Sequence, residues 1–144
     1  MKHYCTFYVG GQYYGVEIQE VQEVIRCQAI TRIPSAPLVV RGLINLRGQT
    51  LVVLDLRQRF SLPSPMTDPP FTIVIVRDSA ELVGLLVDKI GNPLQLEESS
   101  FAETSGALEG VARDCVLGAC QGSDRLLWVL SVEKIFQGEN AHVS

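Results

Sequence analysis

The sequence predicts an all-β protein, a small barrel or sandwich whose building unit occurs twice. Three observations point there. Short runs rich in Val, Ile, Leu and aromatics alternate with turn residues along most of the chain, the punctuation of small antiparallel folds. Alternation with a period of two outweighs the helical period. Gly42 to Phe60 also matches Gly118 to Phe136 without a gap: Leu51-Val52-Val53-Leu54 falls on Leu127-Trp128-Val129-Leu130, and Phe60 on Phe136. A fainter echo sets Tyr14-Gly15-Val16-Glu17-Ile18 against Val83-Gly84-Leu85-Leu86-Val87. Self-similarity of this kind constrains the architecture before any single element is assigned.

From the N-terminus, Tyr4 to Val9 and Tyr13 to Ile18 read as strands joined across Gly10-Gly11, because glycine supplies the positive φ of primed turns. Ile18 to Ile25 places Ile18, Val21, Val24 and Ile25 at helical spacing. That predicts one short amphipathic helix with Val21 and Val24 in the core and Glu23 toward solvent. Ala29 to Ile33 reads as a further strand. Arg41-Gly42 leads into a strand with its hairpin tip at Asn45-Leu46-Arg47-Gly48, and Leu51 to Leu56 returns from it. Asp55 and Ser131 are N-cap residues in equivalent places, so each unit ends by turning from strand into a short helix.

Ser61 to Pro70 holds four of the seven prolines and is an extended linker between the copies, since proline cannot donate to a sheet ladder. Phe71 to Val76 and Leu82 to Val87 are strands flanking the Asp78-Ser79 turn, and Pro93 interrupts pairing at Gly91-Asn92-Pro93. The polar stretch from Glu97 to Gly110 accounts for the longer second unit: the paired glycines are 27 residues apart in the first (15 to 42) and 34 in the second (84 to 118). Such a surface insertion costs little. Leu126 to Val132 follows the Gly122-Ser123-Asp124 turn, and Gly138 to Ser144 is expected to fray.

A chain of 144 residues with 47% hydrophobic residues can bury a substantial core. Its net charge of -4, with dispersed Lys and Arg, argues against nucleic-acid binding. The N-terminus lacks the layout of a signal peptide, and no apolar run reaches the roughly 20 residues of a membrane-spanning helix. Cytosolic residence is the expectation, with Cys5, Cys27, Cys115 and Cys120 as reduced apolar filler rather than disulfides or metal ligands.

Catalytic constellations are missing. The two histidines, His3 and His142, lie near the chain ends, where a general base is poorly held. There is no phosphate-loop or nucleophile-elbow motif. Glu17, Glu20, Glu23, Asp55 and Asp88 are scattered, and nothing in the spacing selects an acid–base pair. Arg47 and Glu23, taken alone, read as solvated surface residues.

Several motifs in serial order change that reading. Tyr14 to Ile18, Val21-Gln22-Glu23-Val24-Ile25, Thr31-Arg32-Ile33-Pro34, Arg41 to Gly48 (RGLINLRG), Val53 to Arg57 (VLDLR), Thr72 to Val76, Val83 to Asp88 and Leu130 to Ile135 resemble the motifs of the CheW family. The resemblance covers Phe7 to Phe136. It implies one CheW-like domain over 1–144: two tandem five-stranded SH3-like β-barrels with a few short helices. Barrel one would span 13–60, the linker 61–70, and barrel two 71–132 joined by the N-terminal strand, with a C-terminal helix over 131–137.

The resemblance further implies a non-enzymatic adaptor that couples methyl-accepting chemoreceptors to the histidine kinase CheA. Such a protein is cytoplasmic, recruited to membrane receptor arrays, and uses no cofactor or metal. By position in the motifs, Val21, Glu23, Gly42 and Arg47 belong to the receptor-coupling surface, with Glu23 and Arg47 paired. Ile73 and Val87 mark the side facing the kinase's regulatory domain. Two alternatives stay open: the equivalent adaptor of a type IV pilus or phototaxis pathway, and a barrel that senses a small molecule bound between its halves.

Overall fold

The structure, a computed structural model, describes residues 1–63, 68–103, 111–122 and 125–137, apart from the side chain at 111. Within them the chain is folded as two sheets. One has five strands: β3 (Val21–Cys27), β4 (Val40–Leu46), β5 (Gln49–Asp55), β6 (Phe71–Asp78) and β7 (Glu81–Val87). Their spatial order is β3-β6-β7-β5-β4. The other holds β1 (Lys2–Val9) and β2 (Gln12–Glu17) with the C-terminal strands β11 (Val116–Gln121) and β12 (Leu126–Leu130). Three short strands complete it: β8 (Lys89–Ile90), β9 (Leu94–Leu96) and β10 (Phe101–Ala102).

The repeat is real at the level of single hydrogen-bonded pairs. Val40 and Gly42 face Leu54 and Val53 across a bulge in β4, while Val116 and Gly118 face Leu130 and Val129 across a bulge in β11. Every position differs by 76. Asp55 N donates to Val39 O at 2.8 Å, and Ser131 N to Cys115 O at 2.8 Å. The hairpins repeat with an offset of 69: Thr6 pairs with Gly15 as Ile75 pairs with Gly84. Gly15 then lies parallel beside Val129, and Gly84 beside Val53. β8 and β9 both pair with β1 and act as one strand broken at Gly91-Asn92-Pro93, where proline interrupts the ladder as expected. The isolated Thr31–Leu43 bridge is matched by β10, where Ala102 pairs with Ala119. Each sheet thus follows the same five-strand plan.

The halves of the chain are nevertheless exchanged between the sheets. Hairpin β1–β2 of the first unit joins β11 and β12 of the second, and hairpin β6–β7 of the second joins β4 and β5 of the first. The expected division into 13–60 and 71–132 therefore does not follow the sheets. Strand β2 passes through a short 3-10 turn (Ile18–Glu20) into β3, which pairs with β6. Strand β7 runs on after Asp88 into β8, which pairs with β1. Each unit lends a strand to its counterpart, so neither contiguous segment contains a complete sheet.

Two local expectations fail. Ile18 to Ile25 is not an amphipathic helix but this crossover turn followed by β3. Its partly buried positions alternate strictly at Val21, Glu23, Ile25 and Cys27, and pairing with β6 outweighs the helical spacing of four apolar residues. Val24 consequently points outward and is 40% exposed rather than core. Ala29 to Ile33 contributes only the bridge at Thr31. The expected turn at 122–124, the polar insertion at 97–110 and the linker at 61–70 each lie partly outside the described residues. The tail at 138–144 lies wholly outside them.

Helices α1 (Leu56–Arg59) and α2 (Val132–Phe136) match the expected strand-to-helix turns. The Asp55 carboxylate accepts from Arg57 N at 2.9 Å, and Ser131 Oγ from Lys134 N at 3.1 Å, satisfying orphan donors of each first turn. Arg59 reaches from α1 to the end of α2, donating to Ile135 O at 2.8 Å and Lys134 O at 3.0 Å. A core shared by both sheets lies between them, including Phe7, Tyr14, Phe60, Val74, Leu85, Val87, Trp128 and Phe136. Cys5, Cys115 and Cys120 are buried free thiols, and burial pushes the first two above the usual thiol range, as expected of apolar filler.

Gly42 exposes the tightest constraint. Its φ is +151°, and a Cβ there would meet the carbonyl oxygen of Thr31 at 2.1 Å. At Gly48, φ is +85° but a Cβ would meet nothing within 4 Å. Gly42→Ala is therefore expected to cost about 3 kcal/mol or more, the range of severe substitutions. That is comparable with Leu54→Ala in the shared core, at roughly 2–5 kcal/mol. Gly48→Ala should cost distinctly less than either. Urea unfolding of the three variants checks the order.

Candidate functional site

Hairpin β4–β5 turns through two residues, Arg47 at φ +52° and Gly48 at φ +85°, with Leu46 paired to Gln49 on either side. Two successive positive φ values make the primed turn that suits a right-twisted hairpin. Glycine adopts that geometry freely; arginine does so at a cost in backbone strain. Asn45 Oδ1 accepts from Gly48 N at 3.0 Å and holds the tip. The turn carries the Arg47 side chain clear of the core, where it is 71% exposed.

Across from it stands Glu23 on β3. Arg47 Nη2 donates to Glu23 Oε1 at 2.9 Å, and Nη1 donates to Oε2, a two-pronged contact matching the planar shapes of both groups. β3 and β4 are the two ends of the five-stranded sheet. The ion pair therefore ties one end to the hairpin that contains the other. Glu23 shares the inward side of β3 with Ile25 and Cys27, which pack inside this sheet. A bulge lies just before it, between Val21 and Glu23. The hydrogen bonds from Arg47 hold the Glu23 carboxyl below its usual pKa range, against desolvation acting in the opposite direction.

The other expected surface residues divide sharply. Val21 is half-buried and leans on the shared core. Gly42 is buried, so its contribution is to admit Thr31, whose N–H and C=O bond Leu43 at 2.9 and 2.7 Å. It shapes the surface without forming it. Ile73 and Val87 are fully buried, the first inside the five-stranded sheet and the second in the shared core. Neither side chain can meet a partner in the folded chain. Their strands also lie in the same sheet as Glu23 and Arg47, not in the other one. The assignment fails because a matching motif locates a strand without telling which of its faces is covered.

Sequence reading missed three charged contacts. Arg57 binds Asp88 with Nε to Oδ1 and Nη2 to Oδ2, both at 2.7 Å, while Asp88 Oδ2 also accepts from Gly10 N at 2.8 Å. This joins α1, the end of β7 and the β1–β2 turn. Arg41 lies 3.5 Å from Asp55, which is only 1% exposed, and 5.1 Å over the Phe71 ring. Beside that pair the 32–38 loop borders a cavity of about 320 Å³. Lys2 pairs with Glu17 at 2.6 Å. Only the charged residue types at strand ends hinted at these pairs, since the partners are distant in sequence. Among the described residues, no group of three or more His, Cys, Asp or Glu is placed to hold a metal ion, and no helix is long and apolar enough to cross a membrane.

Residues 3–140 match the model of the CheW-like domain family. The chain is 32% identical over 140 residues to "Chemotaxis protein CheW" of Bacillus subtilis, covering 94% of this chain and 87% of that one. It superposes on the crystal structure of the scaffolding protein TtCheW of Thermoanaerobacter tengcongensis with a TM-score of 0.86. That match has 27% identity and covers 96% of this chain and 94% of the other. A shorter match, 24% identical over 112 residues, reaches "Protein PilI" of Pseudomonas aeruginosa, with 78% of this chain and 63% of that one covered.

The setting of the pair, with Arg47 71% exposed at the hairpin tip and Glu23 half-buried beside it, predicts a weak role in stability. Ion pairs between solvent-exposed groups gain little in high dielectric. Arg47→Ala and Glu23→Gln should each melt within about 4 °C of the parent protein. The pair lowers the Glu23 pKa in the folded chain. Its contribution is therefore complete above the ordinary carboxylate pKa and is lost as pH falls through the lower folded value. Thermal melts across acid pH and added salt should show the small difference between parent and Arg47→Ala closing at low pH and at high salt.

Proposed function

This chain belongs to the CheW-like domain family, the family of chemotaxis coupling adaptors, and we propose that it bridges methyl-accepting chemoreceptors and a CheA-type histidine kinase without catalysing a reaction itself. The family match across nearly the whole chain carries the function. Its two sheets fit two SH3-like barrels, and the chain superposes on the scaffolding protein over nearly its whole length.

For the coupling surface, the observation that carries the proposal is the exposed Arg47–Glu23 pair across the end of the first barrel. The pair presents one oriented charge of each sign, held by a strained turn and a bulge. Backbone strain held by surrounding structure is a reason to suspect function at that place. Val24, 40% exposed on the outer side of β3, and Ile18, 47% exposed in the crossover turn, add apolar area nearby in the chain. Such a surface suits a partner that buries apolar residues and desolvates the charges at their rim. Val21 and Gly42 support it from within. The kinase contact is proposed for the same adaptor, but the side chains of Ile73 and Val87 have no part in it.

The match to PilI is shorter than that to the Bacillus subtilis chemotaxis protein, lower in identity, and covers less of the relative, so the chemotaxis reading is preferred over a pilus pathway. A small molecule held between the halves is not supported, because Phe7, Tyr14, Val74 and Leu85 fill that space as one shared core.

The test is assembly from purified parts: this protein, a CheA-type kinase and the cytoplasmic fragment of a chemoreceptor. Kinase activity should change on adding this protein only when the receptor fragment is present, and the chain alone should hydrolyse no ATP. Arg47→Ala and Glu23→Ala should each weaken ternary assembly by about tenfold or more while keeping a near-parental melting temperature. Arg47→Glu should be worse, through like-charge contact with Glu23 as well as with the partner. Parental assembly by all three would remove the surface assignment. Robust ATP turnover by the chain alone, lost on substituting one of its own carboxylates, would defeat the adaptor reading.

A further inference from the structure

The two barrels share one plan, so a position at which they differ in kind is informative. Inside the first barrel, Phe71, Ile73, Ile75 and Leu86 pack against Ile44, Leu51 and Val53. Matched through the strand registers, Lys2, Tyr4, Thr6 and Glu17 of the second barrel stand at the positions of the first four. Cys120, Leu127 and Val129 stand at the positions of the last three. Tyr4, Cys120, Leu127 and Val129 do form the corresponding small core. One end is different. Where Phe71 and Leu86 lie buried in the first barrel, the second carries the Lys2–Glu17 ion pair. Where Arg41 stacks over Phe71, the second has Leu117, 46% exposed.

A cavity of about 430 Å³ opens at that end of the second barrel, within the size range of small-ligand pockets. Tyr4, Phe101 and Val129 supply apolar lining, and Leu117 an exposed lip. Lys2, Glu17 and Glu98 bring the charge. Lys2 is committed to Glu17 at 2.6 Å. The Glu98 carboxylate makes no hydrogen bond or ion pair among the described residues. The three groups sum to one negative charge. In the first barrel, the equivalent space holds a phenyl ring with a guanidinium over it.

We propose that this end of the second barrel binds a small organic cation, an amine or guanidine carried on an aromatic or branched apolar body. The body takes the place that Phe71 fills in the first barrel. The cation takes the place of Arg41 and sits at the rim beside Glu98. Apolar filling supplies the attraction, and the carboxylates select the sign of charge. An anion of the same shape would add a like charge beside Glu17 and Glu98, while Lys2 is already paired.

The experiment is an NMR titration of the full chain with three probes of one shape: phenethylamine, 2-phenylethanol and 3-phenylpropionate. Phenethylamine should shift signals of Tyr4, Phe101 and Val129 saturably and bind at least about tenfold tighter than 3-phenylpropionate, with the alcohol between them. Glu98→Gln should bring the amine close to the alcohol. The double change Lys2→Phe with Glu17→Leu rebuilds the first barrel's plug and should abolish binding without lowering the melting temperature. Leu117→Trp, at the exposed lip, provides a second block should the rebuilt core not fold. Absence of saturable shifts, shifts that map elsewhere, equal or tighter binding of the anion, or amine binding undiminished in the folded blocking variants would each overturn the proposal. None of these outcomes depends on receptor or kinase.

Discussion

β6 is buried on both faces, and the rest of the molecule is arranged to make that possible. Ile73 and Ile75 fill the interior of the first barrel while Val74 and Val76 enter the core between the barrels. β7 is used the same way, with Leu86 inside and Leu85 and Val87 between. A hairpin that is apolar on both faces has no side to offer water, so it needs a sheet closed around one face and a second layer over the other. One unit of the repeat cannot supply both. The exchange of strands does: β3, β4 and β5 from the first unit enclose the second unit's hairpin, and the first unit's hairpin, with Cys5, Phe7, Tyr14 and Val16, covers its back. Phe60 and Phe136, the matching last residues of the two repeats, both end in that shared core. A substitution there is felt by both barrels, because interiors at this density transmit strain.

This arrangement separates what the sequence made legible from what it did not. The repeat from Gly42 to Phe60 was readable because it is local: bulge, hairpin and capped turn each rest on residues within a few positions of one another. The 69-residue echo of the hairpins was also visible. What the chain does not announce is which hairpin joins which β-strand pair, since the partners of Gly15 and Gly84 lie far off in sequence. The same distance hid the Arg57–Asp88 and Lys2–Glu17 contacts. Ile18 to Ile25 reads as a helix because Ile18, Val21, Val24 and Ile25 fit a helical stripe, while the alternating alternative places a glutamate on the inner side. That glutamate is there for Arg47, which no local rule could reveal; only the family resemblance paired them. Gly42 was placed correctly in the motif and wrongly on the surface, because a conformational demand and an exposed position look alike in one sequence.

The Arg47–Glu23 pair, proposed above as the coupling surface, follows from the way the first barrel ends. β3 and β4 are outer strands, and outer strands offer unpaired backbone groups to whatever comes near. A ladder between them would close the barrel at this end and leave little for another protein to engage. An ion pair at the hairpin tip holds the two ends in position while leaving charge in water. Such a tie contributes little in isolation, yet it fixes where a partner meets a positive and a negative group. Gly48 completes the turn that sends the Arg47 side chain outward, and Glu23 meets it from just past a bulge in β3.

Pseudo-symmetry then sharpens the contrast between the barrels. Their central strands share one register, so selection on folding alone would permit the same apolar filling at both interior ends. The first barrel accepts it, with Phe71 only 5% exposed and Leu86 fully buried. The second has Lys2 and Glu17 at those positions instead. A charged pair brought to the mouth of an apolar cavity costs desolvation that an aliphatic pair avoids, and Tyr4 and Val129 below it are already apolar enough to extend the core upward. Stability does not account for leaving that end open. The interior ends of one duplicated plan thus differ: Phe71 and Leu86 fill that of the first barrel, while the Lys2–Glu17 pair leaves that of the second open to the proposed ligand.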